Sequence, residues 1–329
     1  MVAFKRKALP LLQTINTMQQ KDLFDVIIVG GSYAGLSAAM TLGRSLRNVL
    51  VIDSGKPCNR QTPHSHNFLT RDGDTPATIS AIAKEQVLQY PTVSFLSDLA
   101  TNAHAESGDF VVKTATGQQV KAKKLILATG VEDLMPTMPG FAECWGRSVL
   151  HCPYCHGYEV HGQRLGILAN GDTAYEMVRH IQHWSPTMTL FTNGPATLTS
   201  DQRQVIDQLN IPILETEIAA IEHENGQLKN MRFTDGSAYK LNAIFSRVPF
   251  QQHSDLANQL GCDLAESGLI KTAEFGQTNV AGVYAAGDTS SPMRQVSLAV
   301  LKGNLAGVWI NRELIEEDLA VRLQASVQD

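Results

Sequence analysis

Residues Cys152-Pro153-Tyr154-Cys155-His156 spell C-x-x-C-H, a string that fits three chemistries: covalent haem attachment, half of a zinc site, or a redox-active dithiol. Haem is attached in compartments reached through a signal peptide, and the N-terminus lacks that pattern. Lys5, Arg6 and Lys7 precede an apolar patch broken by Gln13, Thr14 and Asn16, with no small-residue cleavage site after it. A closed zinc site needs four ligands with room around the metal. His151, Cys152, Cys155 and His156 are crowded together, and Cys58, Cys144 and Cys262 each stand alone. No metal is therefore assigned, and a redox dithiol is the reading. Two cysteines at a helix start close a small disulfide, and the helix N-terminus with a neighbouring imidazolium lowers a thiol pKa toward neutrality. His156, beside the second sulfur, is the candidate proton acceptor and donor.

The segments around this dithiol are of the kind that hold dinucleotides. FDVIIV at 24–29 is a short apolar run rich in β-branched residues, followed at once by Gly30-Gly31-Ser32-Tyr33-Ala34-Gly35 and the helical pattern LSAAMTLGRSL. A second strand at 48–52 ends on Asp53, 53 − 30 = 23 positions beyond Gly30. Strand, glycine turn, helix, strand and acid at about 20 residues' distance are the parts that set a pyrophosphate on helix amides and a ribose on a carboxylate. Ser32 departs from G-x-G-x-x-G at its second glycine, where its hydroxyl is a candidate phosphate contact. Two more strands end in small residues: Lys124–Leu127 before Ala128-Thr129-Gly130, and Val283–Ala286 before Gly287-Asp288.

A second unit begins at Arg164, with strand-like LGIL, then Ala169-Asn170-Gly171-Asp172, helix-like YEMVRHI and strand-like TMTLF. Ala169 replaces its first glycine, and the strand ends in Thr192-Asn193-Gly194. A phosphate dianion needs Arg or Lys in close contact, and these residues supply neither, which argues against NADPH. No acid at the end of that strand invites the bare ribose of NADH either.

Composition excludes several classes. A formal net charge of −5 with no concentrated run of Lys and Arg argues against a nucleic-acid partner or an anionic membrane surface. The apolar runs fall far short of the ~18–20 residues that span a bilayer. Five sparse cysteines, an odd number, are not a secreted disulfide framework and point to a reducing, cytoplasmic setting.

In order and in motif, from about residue 22 to 320, the chain resembles the low-molecular-weight thioredoxin reductase-like family of FAD-dependent disulfide oxidoreductases: glycine turn, Ala-Thr-Gly, C-x-x-C, second dinucleotide unit, Gly-Asp, Arg-Gln. The resemblance implies an α/β fold of two dinucleotide-binding, Rossmann-like domains, the second inserted into the first. An FAD domain is expected from 22–131 and 251–329, and an inserted dithiol-bearing domain from 132–250. Residues 1–21 are expected to be a disordered leader. FAD contacts are expected from Gly30, Gly31, Ser32, Ala34, Gly35, Asp53, Ser54, Asn67, Ala128, Thr129, Gly130, Gly287, Asp288, Arg294, Gln295 and Val296. By position, Cys155 faces the flavin and Cys152 exchanges with substrate.

His156 stands where thioredoxin reductases proper carry Asp, and C-x-x-C-H-G-Y resembles the branch that closes disulfides in gliotoxin- and holomycin-type products. The loop HSHNFLTRDGD at 64–74 resembles that branch too. The expected function is FAD-dependent exchange between a small dithiol or disulfide, or a thioredoxin-like protein, and the Cys152/Cys155 pair, running as a dithiol oxidase or with an electron partner other than NADPH. An NAD(P)H-driven reductase and a non-enzymatic FAD-binding redox sensor are the alternatives. Relatives pair through C-terminal helices like VSLAVLKGNLAGVWI, which implies a homodimer. Cys58 is expected to be packing, Cys144 and Cys262 structural, His64 and His66 solvated, and Trp145 packed where the chain crosses between domains.

Overall fold

Phe24–Val29 is apolar at nearly every position because its strand is covered on both faces, as parallel strands are. The computed structural model describes residues 23–326; the expected leader at 1–21 lies outside them. Phe24–Val29 is flanked in parallel by Val49–Asp53 and by Gln119–Leu127, and Val93–Ser97 adds outside Val49–Asp53. On its other side Gln119–Leu127 pairs with Asp109–Thr114 near its start and with Val283–Ala285 near its end. Residues from both ends of the chain thus share one seven-stranded sheet.

One face of this sheet is covered by the helices Tyr33–Arg44, Pro76–Val87 and Val296–Ala325. The first and last approach so closely that a Cβ on Gly303 would lie 2.0 Å from the carbonyl oxygen of Ala34. Lys124, only 11% exposed, ties the long helix to the sheet through Glu313 and Glu317.

A second, parallel sheet uses the order Ile213–Leu214, Met188–Phe191, Leu165–Leu168, Ala243–Ser246 and Val149–Leu150. An antiparallel three-stranded sheet, Ile218–Glu224, Gln227–Phe233 and Ala238–Lys240, packs beside it over Phe191, Ile244 and Phe141. Two crossing strands join the halves: Val131–Asp133 pairs antiparallel with Phe250–Gln252. Among the described residues no helix is long and apolar enough to cross a membrane.

Candidate active site

At the carboxyl ends of the seven-stranded sheet lies a cavity of about 700 Å³, the place where open α/β sheets take their ligands and within the size range of small-molecule sites. Every expected FAD contact lines it except Gly35. Gly35 is buried behind the turn, where a Cβ would sit 1.8 Å from the Gly30 carbonyl oxygen, so its smallness shapes the turn. Gly30 adopts φ +107°, and a Cβ there would come within 2.2 Å of the Ala128 oxygen. The Gly31 amide donates to Asp53 Oδ1 at 2.9 Å, which orients the carboxylate at the cavity rim.

Ser32 caps the helix Tyr33–Arg44 by backbone position only; its side chain makes no capping hydrogen bond. The hydroxyl and the first helix amides are thus available to an anion in the cavity. At the far end, Asp288 lies 3.7 Å from Arg294 Nε, a buried nitrogen without a hydrogen-bond partner. Uncapped amides, a glycine cradle and an orphaned buried donor fit a dinucleotide such as FAD.

The second unit is built differently. Asn170 caps the helix Gly171–Ile181 with its own side chain: Oδ1 accepts from the Gly171 amide at 2.8 Å and from Thr197 N and Oγ1 at 2.9 and 3.1 Å. Its Nδ2 donates to the Pro195 and Thr192 carbonyls. The Thr192 hydroxyl is turned onto the Gly194 carbonyl, Asn193 accepts from the Ile218 amide, and Asp172 adds a carboxylate to the helix's first turn. One amide that would greet a pyrophosphate, that of Gly171, is thus taken by the chain's own Asn170, and the first turn carries an acid where a phosphate would sit.

Cys152 and Cys155 are joined as a disulfide, Cα to Cα 5.3 Å. Cys155 and His156 line the cavity, and Cys152 is not among its lining residues. The expected helix start is a single turn, Pro153–His156, with Cys152 as its cap. Four residues sum to little dipole. The imidazolium expectation is revised as well: burial, helped by the charge of His66, pushes His156 down to about 4, so the ring is neutral at pH 7.

His151 is a cavity residue missed as a functional candidate. Its ring stacks on Trp145, and burial followed by the Arg294 charge, against Asp133, brings it to about 4. Trp145 donates to Asp133 Oδ2 at 3.1 Å, and Arg294 grips both oxygens of the same carboxylate at 2.6 and 3.1 Å. Asp133, on a crossing strand, thereby ties Trp145 to the loop before the long helix. Cys58 also differs from expectation. It lines the cavity, with Sγ 3.6 Å from Asp288 Oδ2, and burial with the Asp288 charge pushes the thiol up to about 11, so it stays protonated. Cys144 and Cys262 are buried in cores as expected. Glycine and C-x-x-C spacing are local signals. Asp133 and Cys58 carry none, because Arg294 and Asp288, their partners, are far along the chain.

The two depressed histidines make an expected pH dependence. Between pH 6.5, the ordinary value, and about 4 the unfolded chain binds protons that the folded chain refuses. Stability is therefore full above 6.5 and falls as pH drops toward 4, by up to about 3 kcal/mol for His151. Urea unfolding across this range should show a shallower slope in His151→Gln; an unchanged slope would remove His151 from the account.

The profile of the pyridine nucleotide-disulphide oxidoreductases matches residues 24–303. "Thioredoxin reductase tcpT" of Claviceps purpurea is 32% identical over 91% of this chain and 97% of its own length. The crystal structure of HlmI superposes with a TM-score of 0.88 at 30% identity, over 95% of this chain and 99% of that one. A putative thioredoxin reductase TrxB from Bacillus anthracis gives 0.86 at 30% identity, over 90% and 99%.

Proposed function

We propose, from the premise that the chain belongs to the pyridine nucleotide-disulphide oxidoreductase family and is an oxidoreductase of its thioredoxin reductase-like type, that it holds FAD in the 700 Å³ cavity and oxidises small dithiols without a nicotinamide. One contrast carries this reading. The first dinucleotide helix has no side-chain cap and opens on the cavity that Cys155 lines, whereas the second has its first amide, that of Gly171, taken by Asn170 and a carboxylate, Asp172, in its first turn.

In the forward direction a substrate thiolate attacks Cys152 Sγ, the Cys152–Cys155 bond breaks, and Cys155 leaves as a thiolate. The second substrate thiol then attacks the substrate sulfur, closes the product disulfide and releases Cys152. His156, next to Cys155 in the chain, takes the thiol proton as the thiolate forms, the new negative charge offsetting the burial that otherwise keeps the ring neutral. Bound FAD supplies the two-electron acceptor and the route to oxygen. Per turnover, one dithiol and one oxygen become one disulfide and one hydrogen peroxide. Asp53 and Ser32 orient the dinucleotide, and Asp288 and Arg294 hold its flavin end.

The test is anaerobic mixing with dithiothreitol, NADH or NADPH, following flavin absorbance. Dithiothreitol alone should bleach the protein, with colour restored on admitting air. Rapid bleaching by a nicotinamide would overturn the oxidase reading in favour of a reductase.

The proposed partner set is a small dithiol and a second copy of the chain, in the cytoplasm. The inserted unit, taken as 132–250, carries the disulfide against an FAD unit of 22–131 and 251–329. On the helix Val296–Ala325 the exposed residues Leu301, Val308, Ile315 and Leu319 fall at coiled-coil spacing, each about half exposed. Ile315→Glu should give a monomer in sedimentation; an unshifted sedimentation coefficient would exclude this helix as the contact.

A further inference from the structure

His66 reads in sequence as a solvated loop histidine, yet its side chain is only 21% exposed and lines the same cavity as His156. It sits between two carboxylates. Nε2 lies 3.5 Å from Glu159 Oε1 and Nδ1 lies 3.7 Å from Asp72 Oδ1. Those acids face solvent, at 38% and 68% exposure. Asp72 is held in place by the Asn67 amide at 2.7 Å. The ring of His64 lies 6.4 Å away between centroids and is anchored through Nδ1 to the Gly73 carbonyl at 2.9 Å. Glu159 follows the redox turn, whereas His66 and Asp72 belong to the loop of the first unit, so the arrangement exists only when the two units are brought together.

Oxidation of one dithiol sets free two electrons and two protons. With FAD bound, the electrons would end on oxygen and both protons on the hydrogen peroxide, so between the dithiol step and reoxidation a proton has to leave the redox pair and later be returned. His156 and His66 line the same cavity, near enough that the charge of His66 adds to burial in lowering the proton affinity of His156. We propose that His66 relays to solvent the proton that His156 takes from the Cys152/Cys155 pair, handing it on at Glu159 and Asp72. His66 is on this reading a positioning and proton-transfer residue, and the inference rests on the dithiol reaction proposed above.

The test follows anaerobic bleaching of the FAD-loaded protein by dithiothreitol over roughly pH 6 to 9, the range in which imidazoles exchange protons. His66→Gly should slow bleaching about tenfold or more at pH 7, flatten its pH profile, and regain rate on addition of free imidazole. Asp72→Asn with Glu159→Gln, at exposed positions that leave the fold intact, should give a smaller loss that imidazole does not restore. A wild-type rate in His66→Gly, or a loss indifferent to imidazole, would overturn the relay while leaving the dithiol reaction in place. Failure of dithiothreitol to bleach the wild-type protein would overturn that reaction and the relay with it.

Discussion

Cys155→Ser is expected to leave a folded, yellow protein whose dithiol turnover has fallen at least about 10³-fold, the scale on which removal of a covalent catalyst acts. Serine is nearly isosteric with cysteine, and Cys155 is only part-buried in the cavity wall, so packing is preserved. What disappears is the bond to Cys152 and the sulfur on the cavity side. Cys152, which is part-buried, remains as a thiol. Substrate oxidised elsewhere should then accumulate as a mixed disulfide on Cys152, detected as an adduct by mass spectrometry and released by reductant. Turnover within about tenfold of wild type would mean that the pair is a structural staple and that electrons take another route.

Arg294→Met should produce the largest loss of stability. Arg294 spans two buried carboxylates, gripping Asp133 with both terminal nitrogens while Nε faces Asp288 at 3.7 Å. Asp133 is 8% exposed and Arg294 16%, so screening by water is slight. Removing the guanidinium leaves two enclosed carboxylates without their cation. Breaking such a pair costs about 3–5 kcal/mol, although replacing both partners can be nearly neutral. The double variant Asp133→Asn with Arg294→Met should therefore melt above the single one, and the four proteins form a cycle for the coupling. FAD should also be lost from Arg294→Met on desalting, because the same nitrogen is proposed to face the flavin end. A single variant as stable and as yellow as wild type would show that the pair is incidental.

The parts legible in sequence are those whose cause is local. Glycine at 30 is needed by a turn that reverses within a few residues, and Asp53 reaches the Gly31 amide from the adjacent parallel strand. The redox pair is two cysteines one turn apart. In the second unit the missing glycine and missing cations were visible too, though the Asn170 bond to the Gly171 amide was not. The helix-start argument for a low thiol pKa exceeded what a one-turn helix can deliver.

What the sequence determined by itself is thus the chemistry on offer: an α/β dinucleotide fold, one intact binding turn, one altered one, and a dithiol between them. Those features follow from backbone geometry and hydrophobic pattern, which act over a strand or a turn. Only the tertiary structure decided that His156 and His151 are held neutral, and that Asp133 with Arg294, Cys58 with Asp288, and His66 with Glu159 come into contact. The first two of these pairs are separated by 161 and 230 residues. Their positions and proton affinities are set by burial and by charges brought together through folding, and these depend on neighbours in space that no spacing along the chain records.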